Sequence, residues 1–316
     1  MRNLILLGKG VNPHENLALE EALMDAIQPG DAAMYLWQNK NTVVIGRNQN
    51  AWRECRCELL KEEGGVLARR SSGGGAVFHD LGNLNFTFAA SPERYDLQRQ
   101  LKVVQEALLP LGIESEFSGR NDILTMDGRK FSGNAFKHTR TCSMQHGTLL
   151  VRVDMQKLGR YLNPPAEKLK AKGVASVRSR VCNLCEFNPD ITIEAVRAAL
   201  MESFQNLYGP AEALRADDFD ITEKYARYSS WAWNYGETPV FDLELRKRFD
   251  WGILEVLLQL QHGAVSNVHV YSDAMDAELP PKLEQALAGK PFGSSLPDAV
   301  SPYPDIAQWL REELPL

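Results

Sequence analysis

The sequence predicts a mixed α/β fold followed by a small α+β unit near the end of the chain. Some segments carry apolar residues with a helical period, while others are short, apolar and bounded by Gly, Asn or Asp, as strands are. After residues 231–239, WAWNYGETP, the pattern changes to a short hairpin-and-helix unit. We therefore predict a large domain over residues 1–240 and a small accessory domain over residues 246–316.

The first predicted element is a helix that begins at residue 13. Asn12 suits the N-cap, Pro13 suits the first turn, and Glu15 completes a capping box. Leu19 and Leu23 then follow at helical spacing, which gives the helix one apolar side.

The predicted strands are short apolar segments. Ala32–Gln38 and Thr42–Gly46 are joined by three polar residues, so we expect them to form a hairpin. A second hairpin is expected at Asp127-Gly128, because Asp-Gly is a favoured two-residue turn. The remaining predicted strands are Gly65–Arg69, Ala76–His79, Leu84–Ala89 and Gly147–Val153, and the remaining long helices are Leu97–Leu109 and Ile193–Tyr208.

Composition and charge exclude several classes of function. The formal net charge is −6 and no block of Lys or Arg is present, so nucleic acid is not an expected partner. No apolar stretch approaches the length that spans a bilayer, so a membrane protein is not expected either. An odd number of cysteines is typical of free thiols in a reducing cytoplasm, where we place the protein. They are Cys55, Cys57, Cys142, Cys182 and Cys185.

The most unusual stretch is Arg69–Asp80, RRSSGGGAVFHD. It satisfies neither the P-loop pattern nor the G-x-G-x-x-G pattern of dinucleotide-binding folds. Three glycines expose consecutive backbone N–H groups, and such a concavity suits an anionic or adenylate-like ligand. A crossing of two strands, where glycine only relieves crowding, explains the pattern equally well, and both interpretations stay open.

A second stretch, Ser118–Phe136, places Lys130 in a predicted strand just after the Asp127-Gly128 turn, with small residues following it. A lysine directed into a site is a point charge that can hold a phosphate and a carboxylate together. An exposed strand lysine is the more frequent alternative.

In order along the chain, several motifs together resemble the lipoate-protein ligase family in its two-domain bacterial form. They are RRSSGGGAVFHDLGN, GRND, RKFSGNAF, HGTLL and KGVASVRSRVCNL. The resemblance runs from about residue 10 to residue 240 and is thinner beyond residue 245. It implies a mixed-sheet catalytic domain of the biotin/lipoate ligase type with a small C-terminal α+β accessory domain.

The resemblance implies a ligase that works in two steps. Lipoate and Mg-ATP form lipoyl-AMP and pyrophosphate, and the lipoyl group then passes to a lysine. The acceptors implied are lipoyl domains of 2-oxoacid dehydrogenase E2 subunits and the glycine cleavage H protein. The acyl substrate is lipoate or octanoate, the cofactors are ATP and Mg²⁺, and a monomer is expected.

The resemblance also implies site residues. Lys130 is the implied catalytic residue, bridging the acyl carbonyl and the α-phosphate. Asp122 is implied near the metal, His146 and Gly147 at the acyl group, and Leu17, Glu20 and residues near Val44 along the acyl chain, although a solvated carboxylate stays open for Glu20. The implied nucleotide contacts are Arg70, Ser72, Gly73, Gly74, Gly75, Ala76, Val77, Phe78 and Asn83. The implied adenylate loop carries Lys172, Gly173, Ser176, Val177 and Arg178.

Three alternatives remain beside the ligase. An octanoyl or lipoyl transferase would use a cysteine thioester without ATP, and Cys142 lies four residues before His146. A non-catalytic binder is disfavoured by the presence of Lys130. A biotin ligase would carry a GRGRxGR-like loop, which is absent. Cys182-x-x-Cys185 has no second paired ligand set, so a zinc site is not predicted.

Overall fold

The computed structural model describes residues 1–118, 121–162, 181–235, 242–261, 263–293 and 295–314. The described residues form two compact units. Unit 1 contains Met1–Ile45, Ala51–Arg70 and the described part of 76–235. Unit 2 contains Gly46–Asn50, Ser71–Gly75 and the described residues from 242 onward, so it includes two short segments that the predicted domain limits place in the large domain.

Fourteen strands and ten helices lie in the described residues. The strands are β1 Asn3–Leu7, β2 Ala32–Trp37, β3 Thr42–Ile45, β4 Val66–Arg69, β5 Val77–His79, β6 Asn83–Ala90, β7 Ser115–Phe117, β8 Asp122–Thr125, β9 Lys130–His138, β10 Ser143–Leu150, β11 Glu212–Leu214, β12 Leu243–Phe249, β13 Gly252–Gln261 and β14 Ala264–Ser272. The helices are α1 Pro13–Ala26, α2 Ala51–Glu54, α3 Cys57–Glu62, α4 Leu97–Leu108, α5 Met155–Tyr161, α6 Ile193–Tyr208, α7 Thr222–Ser229, α8 Trp231–Asn234, α9 Leu279–Leu287 and α10 Pro304–Glu313.

Unit 1 is built on a large mixed sheet with the strand order β11-β1-β2-β6-β10-β9-β8-β7. Strand β1 is parallel to both of its neighbours, and every other pair in this sheet is antiparallel. A smaller sheet of unit 1 has the order β4-β3-β5. The predicted mixed α/β class is confirmed.

Two cores cover the two faces of the large sheet. On one face Phe86 and Phe88 of β6 pack with residues of α4 and α6, such as Val104 and Phe204. On the other face Tyr35 and Trp37 of β2 pack with Leu17 and Leu23 of α1. We call the second face the α1 face, because α1 lies against it.

The predicted hairpin between Ala32–Gln38 and Thr42–Gly46 is wrong. Strand β2 pairs with β1 and β6 in the large sheet, whereas β3 pairs with β4 and β5 in the small one. Both strands are fully buried and have partners on both edges, which a local turn signal cannot indicate. The connection between β2 and β3 passes from the large sheet to the small one, and Asn41 within it has a positive φ of 44°.

Other local predictions are confirmed. The Asn12 side chain accepts hydrogen bonds from the backbone N–H groups of His14 and Glu15 and caps α1. Strands β8 and β9 form the expected hairpin, with Gly128 at φ 80°. Helix α6 has the predicted limits, and β10 begins four residues before the predicted strand at residue 147.

Unit 2 has its own core. Its three antiparallel strands, in the order β12-β13-β14, pack with α9 and α10, and Trp309 and Leu283 are fully buried there. The predicted hairpin-and-helix unit is thus present. Among the helices of the described ranges, none has the length and apolar character needed to cross a membrane.

Candidate active site

Polar side chains collect on the α1 face because side chains alternate along a strand. In β6, Asn83, Asn85 and Thr87 occupy alternate positions, while Phe86 lies on the opposite face. His146 of β10 is directly opposite Thr87, and residues opposite each other in a sheet share a face. The register therefore brings polar residues about 60 positions apart in sequence onto one surface.

Glu20 links α1 to this surface. Its Oε1 lies 2.8 Å from His146 Nδ1 and accepts a hydrogen bond from Thr87 Oγ1 at 2.5 Å. Trp37 Nε1 donates to the same Thr87 oxygen at 3.0 Å. Because Glu20 is only 2% exposed, it is not the solvated carboxylate that the sequence allowed.

Lys130 lies on the same sheet and is not a solvated strand lysine. Its Nζ is 2.7 Å from Asp122 Oδ1, and about a third of each side chain is exposed, 32% and 31%. Asp122 is opposite Gly133 in the β8–β9 ladder. A Cβ on Gly133 would lie 2.9 Å from Lys130 Nζ, so the missing side chain leaves the space that the ammonium group occupies.

Arg70 is a buried guanidinium, with 6% of its surface exposed. Its Nη1 donates to the Val44 carbonyl oxygen at 3.3 Å. Burial lowers the pKa of Arg70 to about 10, and the Glu20 carboxylate partly opposes this shift. The side chain remains a cation at neutral pH, as an anion-binding residue must.

The preceding residue, Arg69, is held by α8. Its backbone N–H donates to Asn234 Oδ1, and its guanidinium donates to the carbonyl oxygens of Trp233 and Asn234, all at 2.8 Å. Trp233 Nε1 donates back to the Arg69 carbonyl oxygen at 2.8 Å. Trp233 and Asn234, from the stretch at which the sequence pattern changes, thus fix the end of β4 next to Arg70.

Each of the three consecutive glycines, Gly73 to Gly75, has different surroundings that explain why glycine stands there. A Cβ on Gly73 would lie 2.4 Å from the Ala274 carbonyl oxygen within unit 2. Gly74 has φ 90°, which disfavours other residues, and its N–H donates to the same carbonyl at 3.0 Å. A Cβ on Gly75 would have no atom of the described chain within 4 Å. Crowding and backbone conformation therefore explain Gly73 and Gly74, and only Gly75 leaves open space.

The remaining predicted residues have different surroundings. The Phe78 side chain is buried in the core around β3 and β5, so only its backbone could face a ligand. A Cβ on Gly147 would lie 2.5 Å from Phe86 Cζ, on the face opposite to α1, so this glycine serves packing. Ser72 is buried in unit 2, while Ala76 and Val77 are partly exposed in unit 1. The predicted adenylate loop, with Lys172, Gly173, Ser176, Val177 and Arg178, lies outside the described residues.

Asn83 has a buried amide that is only half satisfied. Its Nδ2 donates to Asn85 Oδ1 at 2.9 Å, while its own Oδ1 has no hydrogen-bond partner in the described part of the chain. A buried acceptor without a partner is suited to a donor on a ligand or an ordered water.

Cys142, the cysteine that lies four residues before His146, shows no sign of nucleophilic activation. Cys142 is 1% exposed, and burial raises the pKa of its thiol to about 12. A nucleophilic cysteine needs a low pKa, so this environment does not favour the thioester alternative. Within the described part of the chain, no three His, Cys, Asp or Glu side chains are grouped so that they could hold a metal ion.

Sequence reasoning missed several of these residues. Thr87 and Trp37 could have been found only from the strand register, and Gly133 only from its distance to Lys130. Asn234 lies within a quoted motif, but nothing in the motif pointed to Arg69 as its partner.

Two family models match the chain. The lipoyl protein ligase A/B catalytic domain matches residues 12–205, and the bacterial lipoate protein ligase C-terminus matches residues 238–300. A curated lipoate-protein ligase A from Psychrobacter cryohalolentis is 40% identical, and the alignment covers 99% of each chain.

Solved structures agree with the family models. The crystal structure of P. falciparum LipL1 in complex with lipoate has a TM-score of 0.86 at 29% identity, covering 98% of this chain and 100% of that one. A bi-partite lipoate protein ligase from Thermoplasma acidophilum, described with its E2 lipoyl domain, has a TM-score of 0.68 at 29% identity, covering 77% and 100%. A lipoate-protein ligase A bound with ATP has a TM-score of 0.65 at 28% identity, covering 75% and 99%.

Proposed function

The chain belongs to the lipoate-protein ligase family, and from this premise we propose how its residues divide the work of an ATP-dependent ligation. The observation that carries the proposal is the Lys130 ammonium, half-buried in the space left by Gly133 on the polar α1 face. The enzyme joins lipoate to protein at the expense of ATP, and the ATP-bound relative supports the use of that nucleotide.

In the first step a carboxylate oxygen of lipoate attacks the α-phosphorus of ATP, and the bond to pyrophosphate breaks. Both reactants are anions, so fixed cations must offset their repulsion in the transition state. Lys130 would contact the acyl oxygen and the α-phosphate together, and its charge would remain on both sides of the reaction. Arg70, a second and more deeply buried cation, would hold the phosphate of the adenylate.

The acyl chain is proposed to lie along α1. Leu17 and Val44 belong to one apolar cluster of the α1 face, and the buried Glu20–His146 pair adds polar groups to that face. A site of this kind, mostly apolar with a few fixed polar groups, suits a medium-length acyl chain. Octanoate is proposed as an alternative acyl substrate on the same grounds.

Asp122 is the residue that would hold Mg²⁺. Mg²⁺ is usually bound by one or two carboxylates together with substrate phosphates and waters, so a single carboxylate at this position fits the ion. When bound, the ion would neutralise part of the phosphate charge.

Several nucleotide contacts stay proposals. Gly75 has the open space that a closely bound nucleotide needs, and Ala76, Val77 and Phe78 would offer backbone groups beside it. Ser72, Gly73, Gly74 and Asn83 are proposed as neighbours of the phosphates. Residues 172–178 are proposed as the loop that closes over the adenylate and excludes water.

In the second step the ε-amine of an acceptor lysine attacks the acyl carbon, and AMP leaves. The proposed acceptors are lipoyl domains, because the archaeal relative is described with its own E2 lipoyl domain. The glycine cleavage H protein is a further proposed acceptor, and the enzyme is proposed to act as a monomer. We place it in the cytoplasm, since all five cysteines are free thiols.

The test is lipoate-dependent exchange of labelled pyrophosphate into ATP. Wild-type protein should catalyse the exchange, and Lys130→Ala should reduce it by about 100-fold or more, since removing one electrostatic contact to the transition state costs that much. Lys137→Ala, which changes another lysine of β9, is the matched control and should exchange like the wild type. A wild-type protein that exchanges with neither lipoate nor octanoate would contradict the proposal.

A further inference from the structure

His79, the last residue of β5, is a buried histidine that the steps above do not use. It is 3% exposed, and its ring stands edge-on to Trp37 with the centroids 6.2 Å apart. Its Nδ1 lies 3.2 Å from Asn39 Nδ2, while its Nε2 has no hydrogen-bond partner among the described residues. One nitrogen is therefore satisfied and the other is buried without a partner.

The protonated nitrogen of the His79 ring follows from a series of hydrogen bonds. The series starts at two backbone carbonyl groups and reaches the ring through Asn16 and Asn39. The Asn16 amide nitrogen faces the carbonyl oxygens of Gln38 at 2.8 Å and Gly10 at 3.4 Å, so it must be the donor end. The same nitrogen faces Asn39 at 2.9 Å, and the Asn39 atom there must therefore be its oxygen, Oδ1. Tyr35 completes the chain by donating to Asn16 Oδ1 at 3.1 Å.

The orientation of Asn39 then determines the tautomer of His79. With Oδ1 turned to Asn16, Asn39 presents its amide nitrogen to His79, and an amide nitrogen can only donate. Nδ1 must accept, so a neutral ring carries its proton on Nε2. Burial, together with the nearby Arg70 guanidinium and His146, lowers the pKa of His79 to about 3, so the ring is neutral at physiological pH.

The result is a buried N–H group that is fixed in place but has nothing to donate to. Leaving such a donor unsatisfied destabilises the folded protein, and buried donors in native proteins nearly always have a partner. The Arg70 guanidinium is close enough to the His79 ring for its charge to lower the pKa of that ring. A guanidinium and a directed N–H group together favour an anionic oxygen, because hydrogen bonds to charged acceptors are the stronger ones.

We propose that His79 is a further substrate-binding residue, whose Nε2–H donates a hydrogen bond to an anionic oxygen of a bound substrate. The hydrogen bonds that run from Tyr35 through Asn16 to Asn39 hold the His79 ring in the donating tautomer. The inference rests on the proposed function, which supplies two substrates with such an oxygen. They are the carboxylate of lipoate and a phosphate of ATP.

The first experiment measures the binding of lipoate and of Mg-ATP separately by calorimetry, for the wild type, His79→Asn and His79→Gln. An Asn side chain still accepts from Asn39 but is too short to donate from the position of Nε2, whereas the Gln amide nitrogen reaches that position. We expect His79→Asn to weaken one of the two substrates by about tenfold or more. His79→Gln should retain that affinity to within about threefold.

The two arms distinguish the sources of the oxygen. Loss confined to lipoate identifies the carboxylate, and loss confined to Mg-ATP identifies a phosphate. Unchanged affinity for both would overturn the proposal, because a water molecule then satisfies the donor. A wild-type protein that binds neither substrate would overturn the proposed function itself. His138→Asn, at the other end of β9 from Lys130, is the matched control and should bind both substrates normally.

A second measurement keeps the proposal testable if His79→Asn fails to fold. In ¹⁵N spectra of histidine-labelled protein, the wild-type His79 should show a protonated Nε2 and an unprotonated Nδ1. Asn39→Asp replaces the donating amide by a group that only accepts, so it should invert the tautomer and weaken the same substrate. A wild-type His79 protonated on Nδ1 would overturn the proposal.

Discussion

At the scale of single residues, the position of Lys130 depends on a neighbour that has no side chain. A Cβ on Gly133 would lie 2.9 Å from Nζ and 3.2 Å from Cε of Lys130. Both atoms are at the end of a flexible side chain, so an added methyl group would displace the ammonium group rather than the backbone. Gly133 thus acts on the chemistry through the lysine, as a positioning residue.

We expect Gly133→Ala to leave the fold intact but to lower lipoate-dependent pyrophosphate exchange by about tenfold or more, the loss that follows from misplacing a charge-stabilising group. Gly159→Ala is the matched control, because a Cβ there meets no described atom within 4 Å. In the middle of α5 it should raise the free energy of unfolding by about 0.5–1 kcal/mol and leave exchange unchanged. Equal exchange rates in the two variants would contradict the role of Gly133.

Cys142 permits a prediction about pH. Its pKa of about 12 keeps the thiol protonated throughout the physiological range, and a thiolate forms only as the pH approaches that value. At pH 7.5 iodoacetamide should therefore leave Cys142 unmodified, while the partly exposed Cys185 reacts first, as mass spectrometry of peptides can show. Cys142→Ala should retain ligation, and loss of acyl transfer in that variant would revive the thioester mechanism.

At the scale of secondary-structure elements, the helix α8 is only four residues long but anchors the end of strand β4. It supplies four hydrogen bonds to Arg69 at the edge strand β4. Asn234 also donates to the carbonyl oxygens of Tyr228 and Ser230, so one buried amide ties together β4, α7 and α8. Because these contacts fix the backbone of Arg69, they also fix the position of Arg70, the next residue.

We expect Asn234→Ala to lower the free energy of unfolding by about 1–3 kcal/mol, because it removes the buried hydrogen bonds of the Asn234 side chain to the Arg69 backbone N–H and to the carbonyl oxygens of Tyr228 and Ser230. It should also raise the KM for ATP more than it lowers kcat, since Arg70 would be less well positioned while Lys130 is unaffected. Ser229→Ala is the control, because its hydroxyl bonds only within its own turn. Urea unfolding and steady-state kinetics measure both effects, and a variant with unchanged KM would limit Asn234 to a structural role.

Short sequence patterns predicted correctly the elements that depend only on residues close together in the chain. The cap at Asn12, the Asp127-Gly128 turn and the limits of α6 depend on residues a few positions apart, and each was predicted correctly. The hairpin predicted at residues 32–46 failed because the partners of β2 and β3 lie far along the chain. The motifs identified Lys130 and His146, but the Glu20–His146 contact spans 126 positions and follows only from the register.

At the scale of the whole molecule, both ends of unit 1 meet in one sheet. Strand β1, which begins at Asn3, has β2 on one edge and β11, from Glu212 to Leu214, on the other. The Arg69–Asn234 contact joins positions 165 residues apart. The large sheet is therefore completed by a strand that comes late in the chain, and the edge strand β4 of the small sheet is held by another late segment.

This arrangement predicts different behaviour for two truncated chains. A chain that ends at Tyr208 lacks β11, α7 and α8, so it should leave an edge of β1 exposed and fail to unfold cooperatively in urea. A chain that ends after Tyr235 retains the described strands and helices of unit 1, and it should unfold cooperatively, as circular dichroism can test. Cooperative unfolding of the shorter chain would show that the late strand is dispensable.

The Arg69–Asn234 contact also has a consequence for protein synthesis. A ribosome adds about 5–20 residues per second, so the 165 positions between these residues correspond to roughly 8–33 s of translation. In the later part of that interval, once residue 130 has been synthesised, Lys130 can be outside the ribosome while Arg69 and Arg70 still lack this anchor. Chains that terminate before Asn234 would therefore be inactive. The cell would then not accumulate fragments that form a reactive acyl adenylate but cannot retain it.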